Sequence, residues 1–407
     1  MNDIKVINLK SIAQIDYSEK MNKDYIIDWG NENTFPLYLQ SLLDKSSKHN
    51  AIVKSKAMMI GGAGFATSQN IVNQTLLENK YNHLNLDQIL SRISYDFEVY
   101  GQFCLNLIWS NDRKSISEIN YIDVSKVRIM TPKVGNRIDY FMVSDDWTSI
   151  RKHKPVVYPA FSTKDRTNPS QLVMVKDYRP GSEWYSFPEY ISAKNFIELE
   201  YEISQFHLSS VQNGFAPSLM INFSSTIPSP EEMDNVIRRL KKEYEGTRNA
   251  GKVIFTFSDG SQNAPQITPI NLNNSDERFI QLNKEVTDAI MAGHRVVNPS
   301  LFGIKESGEL GAKNTILESM DLFIAQYVKP KQNQIVEIFN KISRINGGED
   351  FEINKFKIST TMTPNVTEVL QIIQAPVSTE QKAEIFKLLG YDDESIKKLL
   401  NINEQQG

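Results

Sequence analysis

The chain has 407 residues, 40% hydrophobic and 23% charged, and its 45 basic against 49 acidic side chains leave a net charge of −4. At roughly 150 residues per domain the length allows two or three domains, and the composition excludes a disordered tail. No apolar run reaches the roughly 18 residues of a membrane-spanning helix, and a protein built to grip nucleic acid tightly would be strongly basic, with a pI above about 9. The N-terminus, Met1-Asn2-Asp3-Ile4-Lys5, has no basic start followed by an apolar stretch, so an intracellular protein is expected. The single cysteine, Cys104, leaves no internal disulfide to form.

In chain order, Tyr38, Leu39, Leu42 and Leu43 predict a short helix after Pro36, and residues 49–60 a second. Leu86, Ile89, Leu90, Ile93, Phe97 and Tyr100 recur at three and four and predict a third over 86–100. From 101 to about 180 the pattern turns strand-like. Alternation at Phe103, Leu105 and Leu107, then at Ile119 and Tyr121, is followed by short runs at 127–129, 156–158 and 172–175. Antiparallel strands are expected there. A long helix covers 188–212, a strand 219–223, and a helix capped by Ser229-Pro230-Glu231-Glu232 runs to Glu245. A strand follows at 251–257, then a helix over 275–294 and a loop carrying Gly303, Gly308 and Gly311. Helical periodicity resumes over about 313–345, interrupted by Pro330, which removes a backbone donor and predicts a kink. A short strand from Phe351 to Ile358 and three small helices, starting near Asn365, Ser378 and Asp392, close the chain.

Catalytic constellations are absent from the pattern. His49, His83, His153, His207 and His294 are scattered without metal-ligand spacing, and each reads as a surface or packed histidine. Cys104 lies in an alternating apolar stretch, as a small buried hydrophobe does. Gly61-Gly62-Ala63-Gly64 follows a helix instead of a strand and lacks a third phosphate-loop glycine, so a helix stop with a left-handed cap explains it better. No metal or cofactor is expected.

Five motifs in order carry a resemblance. They are Tyr100-Gly101-Gln102-Phe103-Cys104, Asn213-Gly214-Phe215-Ala216-Pro217, Gly246-Thr247-Arg248-Asn249-Ala250-Gly251-Lys252, Val297-Asn298-Pro299-Ser300-Leu301-Phe302-Gly303, and Phe323 through Pro330. With the element order, they make residues 50–345 resemble the portal protein of tailed double-stranded DNA bacteriophages; Asn298 departs from the family's paired prolines.

The resemblance implies an α+β portal fold with a wing (1–187), stem helix 1 (188–212), an α/β clip (213–274), stem helix 2 (275–295), a tunnel loop (296–312), a long kinked helix and strand completing the wing (313–360), and a small helical crown (361–407). It implies a dodecameric ring at one capsid vertex, a channel for packaging and ejecting double-stranded DNA, without catalysis. Expected partners are the terminase large subunit, the major capsid protein and a head-completion or adaptor protein, with no membrane. Asn298, Pro299, Lys305, Glu306 and Lys313 become tunnel-loop candidates. Glu231, Glu232, Arg238, Arg239, Lys241, Lys242 and Arg248 become clip residues for terminase or adaptor. Phe196, Leu199, Ile203, Phe206, Phe279, Leu282, Val286 and Ile290 would pack the ring, and Pro330 would kink the long helix. Glu189, Glu198, Glu200 and Glu202 against Lys194 suggest a neutral-to-acidic lumen. A capsid adaptor without a channel stays open as a reading, as does, more remotely, an enzyme using Asp96, Glu98 and Asp123.

Overall fold

Helix α1 (Phe35–Lys45) is followed, after one residue, by α2 (Ser47–Gly61), whose N-cap Ser46 accepts from the His49 N–H. The computed structural model describes residues 17–22, 25–66, 71–77, 84–212, 218–223, 235, 253–257, 266–270, 275–296, 298–304, 313–356, 366–388, 391 and 393–400. Helix α2 ends where the glycines begin. The cap, Gly62, has φ 58 and ψ −140, so it is not the left-handed cap expected but a glycine-only conformation, with the Asn354 carbonyl where a Cβ would sit. A short helix the pattern did not announce, α3 (Ile71–Leu77), precedes α4 (Leu86–Tyr100). Helix α4 opens on a reciprocal capping box, Asn85 with Gln88, and closes on Gly101 in the left-handed region. A Cβ at Gly101 would stand 2.5 Å from the Phe187 carbonyl oxygen, which explains the glycine between helix and strand.

That strand, β1 (Gln102–Trp109), is the centre of a three-stranded antiparallel sheet between β2 (Ile116–Ile122) and β6 (Ser170–Lys176). Phe103, Cys104, Leu105 and Leu107 are all fully buried, so β1 is covered on both faces. A second antiparallel sheet joins β3 (Val127–Ile129), β4 (Tyr140–Val143) and β5 (Val156–Pro159). Strand β4 was not legible as a separate run.

A 3-10 turn, Glu189–Ala193, leads into α5 (Lys194–Gln212), so the first long helix divides in two. Beyond it β7 (Ser218–Phe223) pairs in parallel with β8 (Val253–Phe257) and antiparallel with β9 (Gln266–Ile270), the last unforeseen. Of the expected helix from Ser229 to Glu245 only Asn235 is described, and it is helical. Helix α6 (Ser275–Gly293) runs back along α5.

After the 3-10 turn Pro299–Phe302 come α7 (Lys313–Phe323), a π turn at Ile324–Val328, and α8 (Lys329–Ile345). The disruption at Pro330 thus takes the form of a widened turn: proline offers no N–H to the carbonyl four residues back, and Lys329 instead donates to Ile324, five residues back. Of the strand expected from Phe351 to Ile358, the described residues 351–356 form only a bridge between Ile353 and Phe65. Its neighbouring backbone groups go to the glycine turn, with Ala66 N–H donating to Glu352 and Asn354 N–H to Gly64.

The chain divides into two compact units, Met1–Phe356 and Lys357–Gly407. Within the second, α9 (Val366–Gln374), α10 (Thr379–Leu388) and α11 (Asp393–Leu399) follow one another, and Ser378 with Gln381 forms the capping box at the start of α10. The architecture is α+β.

Candidate functional site

The two long helices meet closely at one end. Gly293, last in α6, faces Ala193, and a Cβ there would lie 2.4 Å from the alanine's Cβ. The start of α5 therefore lies against the end of α6, an antiparallel pair. Near this junction the apolar side chains are consumed internally: Ile197, Val286 and Ile290 are fully buried. Val286 and Ile290, expected to pack a ring, instead lie in the subunit's own core, because α6 docks there on the turn Glu189–Ala193 and on α2. Phe196, on another side of α5 from Ile197, is open even here; farther along, Leu199, Ile203 and Leu282 are half-buried, while Phe206 (50% exposed), Leu208 and Ile280 (73% exposed) are open. The Phe279 side chain lies outside the description.

The acidic lumen expectation changes too. Glu200 accepts from Lys48 Nζ at 3.1 Å and from the Ser46 hydroxyl, Glu189 pairs with Arg295 at 3.4 Å, and Glu198 lies close enough to Tyr38 to help raise its hydroxyl's pKa, after burial. Three of the four acids expected to face a lumen thus lie against the subunit's own residues. Glu202 is exposed.

Beneath the junction lies a buried ionic centre that local patterning does not reveal. Glu98 of α4 binds Lys56 of α2 at 3.1 Å and Lys331 of α8 at 3.3 Å, and both its oxygens accept from the Tyr327 hydroxyl at 2.8 and 2.9 Å. Lys331 also reaches Asp177 at 3.0 Å, and Gln334 donates to the same carboxylate at 2.9 Å. Lys56 donates to the His294 carbonyl at 3.3 Å and sits 3.8 Å over the Tyr327 ring. Two lysines and two carboxylates balance, which lets the charges stay buried. Burial opposes ionising Glu98, yet Lys331 and Lys56 with the Tyr327 hydroxyl outweigh it and hold the carboxyl below its usual range. Lys331 is likewise held above its usual value against burial by Glu98 and Asp177, whereas burial and Lys331 push Lys56 down.

Beside this centre two of the scattered histidines meet. His49 Nδ1 lies 2.8 Å from His294 Nε2, and Tyr190 packs on both rings. Burial, then Lys56, pushes His49 down to about 3 and His294 well below its ordinary value, so the pair is neutral. Local patterning hints at the two lysines without naming their partner: Lys56 stands among Val53, Ala57 and Ile60 on the apolar stripe of α2, and Lys331 with Ile335 and Ile338 on that of α8.

The three acids weighed for catalysis do not share one task. Glu98 belongs to the ionic centre, Asp96 accepts from the Tyr121 hydroxyl at 3.2 Å, and Asp123 caps Ser125. Burial, then Asp123, raises the Asp96 carboxyl well above its normal range. Cys104 is buried and its thiol raised by burial. Among the described residues no group of three metal-capable side chains exists, and no helix is long and apolar enough to cross a membrane.

The tunnel-loop candidates are partly placed. Asn298 accepts from the Ser300 N–H and so caps the turn opened by Pro299. Lys305 and Glu306 lie outside the described residues, and Lys313 starts α7 without a described side chain. The clip candidates Glu231, Glu232, Arg238, Arg239, Lys241, Lys242 and Arg248 all lie outside the description. Pro330 is exposed, two residues past the π turn.

This architecture, an α+β body carrying two antiparallel helices and a small sheet, with a long helix broken at one turn, is that of subunits in the necks of phage-like particles. Over 90% of this chain and 93% of the other it matches a chain from the neck of an empty gene transfer agent particle computed with C6 symmetry, at TM-score 0.53 and 14% identity. A neck of the native particle computed with C12 symmetry matches over 87% and 93%, at TM-score 0.51 and 15% identity. An HK97 family phage portal protein from Corynebacterium diphtheriae matches over 77% and 95%, at TM-score 0.51 and 9% identity. In sequence, the chain is 19% identical over 207 residues to the probable portal protein of Escherichia phage P2, covering 51% of this chain and 57% of that one. It is 27% identical over 137 residues to an uncharacterized protein of Rickettsia bellii, covering 33% of this chain and 34% of that one. The matched stretches thus span about half or less of these curated relatives. The phage portal protein family model matches residues 56–380, and the chain belongs to that family.

Proposed function

We propose that the chain is the subunit of a closed ring, twelve copies in the virion, seated at one capsid vertex in the major capsid protein. Double-stranded DNA passes through the ring during packaging and ejection, and the role is structural, without catalysis. The segment 213–274 docks the terminase large subunit and later a head-completion or adaptor protein, with Glu231, Glu232, Arg238, Arg239, Lys241, Lys242 and Arg248 as its contact residues. Residues 296–312 border the channel, with Asn298, Pro299, Lys305, Glu306 and Lys313 nearest the DNA.

The observation that carries this reading is the family match over 56–380, taken with the apolar side chains left open along the helix pair. Phe196, Phe206, Leu208 and Ile280 stay exposed in the single chain. Burying apolar surface gains about 25 cal/mol per Å², and neighbours related by rotation cover such side chains on either side of each subunit until the ring closes. The charge agrees with a conduit. Contacts to six to ten phosphates would make binding tight and strongly salt-dependent, which would hold DNA instead of passing it. A chain with net charge −4 lacks that general attraction.

Electron microscopy of the purified full-length protein tests the proposal. A ring with an open axial hole of duplex width is expected. A monomer persisting at micromolar concentration and high salt would overturn it, and a solid assembly without a hole would favour a capsid adaptor.

A further inference from the structure

Three loops meet at one rim of the body. The first is the hairpin joining Met21 to Ile27, in which Asn22 N–H donates to the Ile26 carbonyl and Tyr25 N–H to that of Asn22. Thr131 N–H donates to the Tyr25 carbonyl and so brings the segment 131–137 alongside. Glu183 ties in the third loop, 178–183: its N–H donates to Glu19 at the start of the hairpin, and its carboxylate accepts from Asn136. Each loop carries a large apolar side chain open to solvent. Met21 (61% exposed) and Tyr25 (73%) stand on the first, Val134 (81%) on the second and Tyr178 (89%) on the third.

Tyr25 is the informative member. Its φ of 61 lies in the left-handed region, and a hairpin whose closing residue has such a φ usually places glycine there. A larger residue is strained in that conformation, and the exposed Tyr25 side chain returns little to the subunit. Strain of this kind persists where the side chain has a task outside its own fold. The loops also supply free cations. Among the described residues Lys133 and Arg179 form no ion pair; Arg179 stands 4.2 Å over the Phe187 ring and Lys133 5.9 Å over that of Tyr140. Tyrosine, methionine and arginine are the side chains enriched at the centres of protein–protein contacts, whereas nucleic acid calls for a denser basic stripe. We infer that this rim docks another protein whose facing surface is apolar at its centre and acidic at its edge, with Tyr25 and Tyr178 as anchors and Lys133 and Arg179 meeting its acids. Contacts between copies fall to the helix pair, which leaves this rim for a different partner. On the reading of the chain as a ring subunit at a capsid vertex, on which this rests, that partner is the major capsid protein.

Co-expression of the full-length chain with the major capsid protein of the same particle tests it, through the fraction of shells that carry a portal ring. Three variants are compared with the unaltered protein: Tyr25→Gly, Tyr178→Ser, and Lys133→Glu combined with Arg179→Glu. Glycine adopts a φ of 61 freely, so Tyr25→Gly removes the aromatic side chain without disturbing the hairpin. All three are expected to melt within a few degrees of the unaltered protein and to form rings as it does. Each should lower the fraction of ring-bearing shells by about tenfold or more, the loss that follows removal of an interface anchor. Undiminished incorporation of Tyr25→Gly and Tyr178→Ser would overturn the inference and leave the ring reading intact. Loss of rings from folded variants would place the rim between copies and overturn the choice of partner. If the unaltered protein itself forms no rings, or its rings enter no shells, the ring reading falls and the docking surface falls with it.

Discussion

His49 and His294, 245 residues apart in the chain, bring ring nitrogens within 2.8 Å of each other in a site closed to solvent. The contact joins the first turn of α2 to the residue after α6, and Lys56 beside it makes any added positive charge unfavourable. His49 is held near 3 against an ordinary 6.5, so the unfolded chain binds more protons between those values. Stability at neutral pH is full, and it falls as the pH drops from 6.5 towards 3. The loss approaches about 1.4 kcal/mol per pH unit for each histidine involved. Denaturant titrations across this range should show a shallower loss for His49→Gln; the same slope in both proteins would refute the role of the pair.

Glu98 separates two buried ammonium groups. Glu98→Gln leaves Lys56 and Lys331 facing each other without their shared counter-charge, and a loss of about 3–5 kcal/mol is expected. Replacing the three together, Lys56→Met, Glu98→Leu and Lys331→Met, should recover much of it. Thermal unfolding of the two variants checks the ordering. A single substitution no worse than the triple would mean that the charges are solvated.

Gly293 stands where helix ends approach most closely. Gly293→Ala should cost about 1–3 kcal/mol through overpacking against Ala193. Adding Ala193→Gly should restore part of this, and additivity in the double-mutant cycle would show that the two residues do not meet.

The open helix faces predict a split between assembly and folding. Phe206→Glu and Ile280→Glu should abolish rings seen by light scattering or microscopy while leaving subunit unfolding nearly unchanged, since both side chains are exposed in the single chain. Intact rings from both variants would place the interface elsewhere.

Replacing Lys305 and Lys313 with glutamate should lower packaging yield or DNA retention if these lysines touch phosphates. Unchanged packaging would assign both to a solvated loop.

Elements with strong local periodicity were readable in advance. Helix α4 shows its apolar stripe from Leu86 to Tyr100, and the capping box at Ser378 marks α10 within a residue. Short elements were not. Helix α3 and strands β4 and β9 are of four to seven residues, too few for a period to stand out. The run after Phe351 has strand composition, but its backbone partners are the glycine turn at 62–66, a tertiary neighbour that no local pattern names.

Side-chain spacing and turn chemistry act over a few residues, so the amino-acid sequence alone determined where most elements lie, the α+β class, and the motif order that resembles phage portals. It also carried the mild acidity. Only the tertiary structure decided which half of the paired helices is core and which is open, because that depends on where α2 and the turn at Glu189 dock. The same holds for the buried centre. Tyr327 and Glu98 are 229 residues apart, and a lysine on a helix looks solvated until packing closes over it and a carboxylate from another segment arrives.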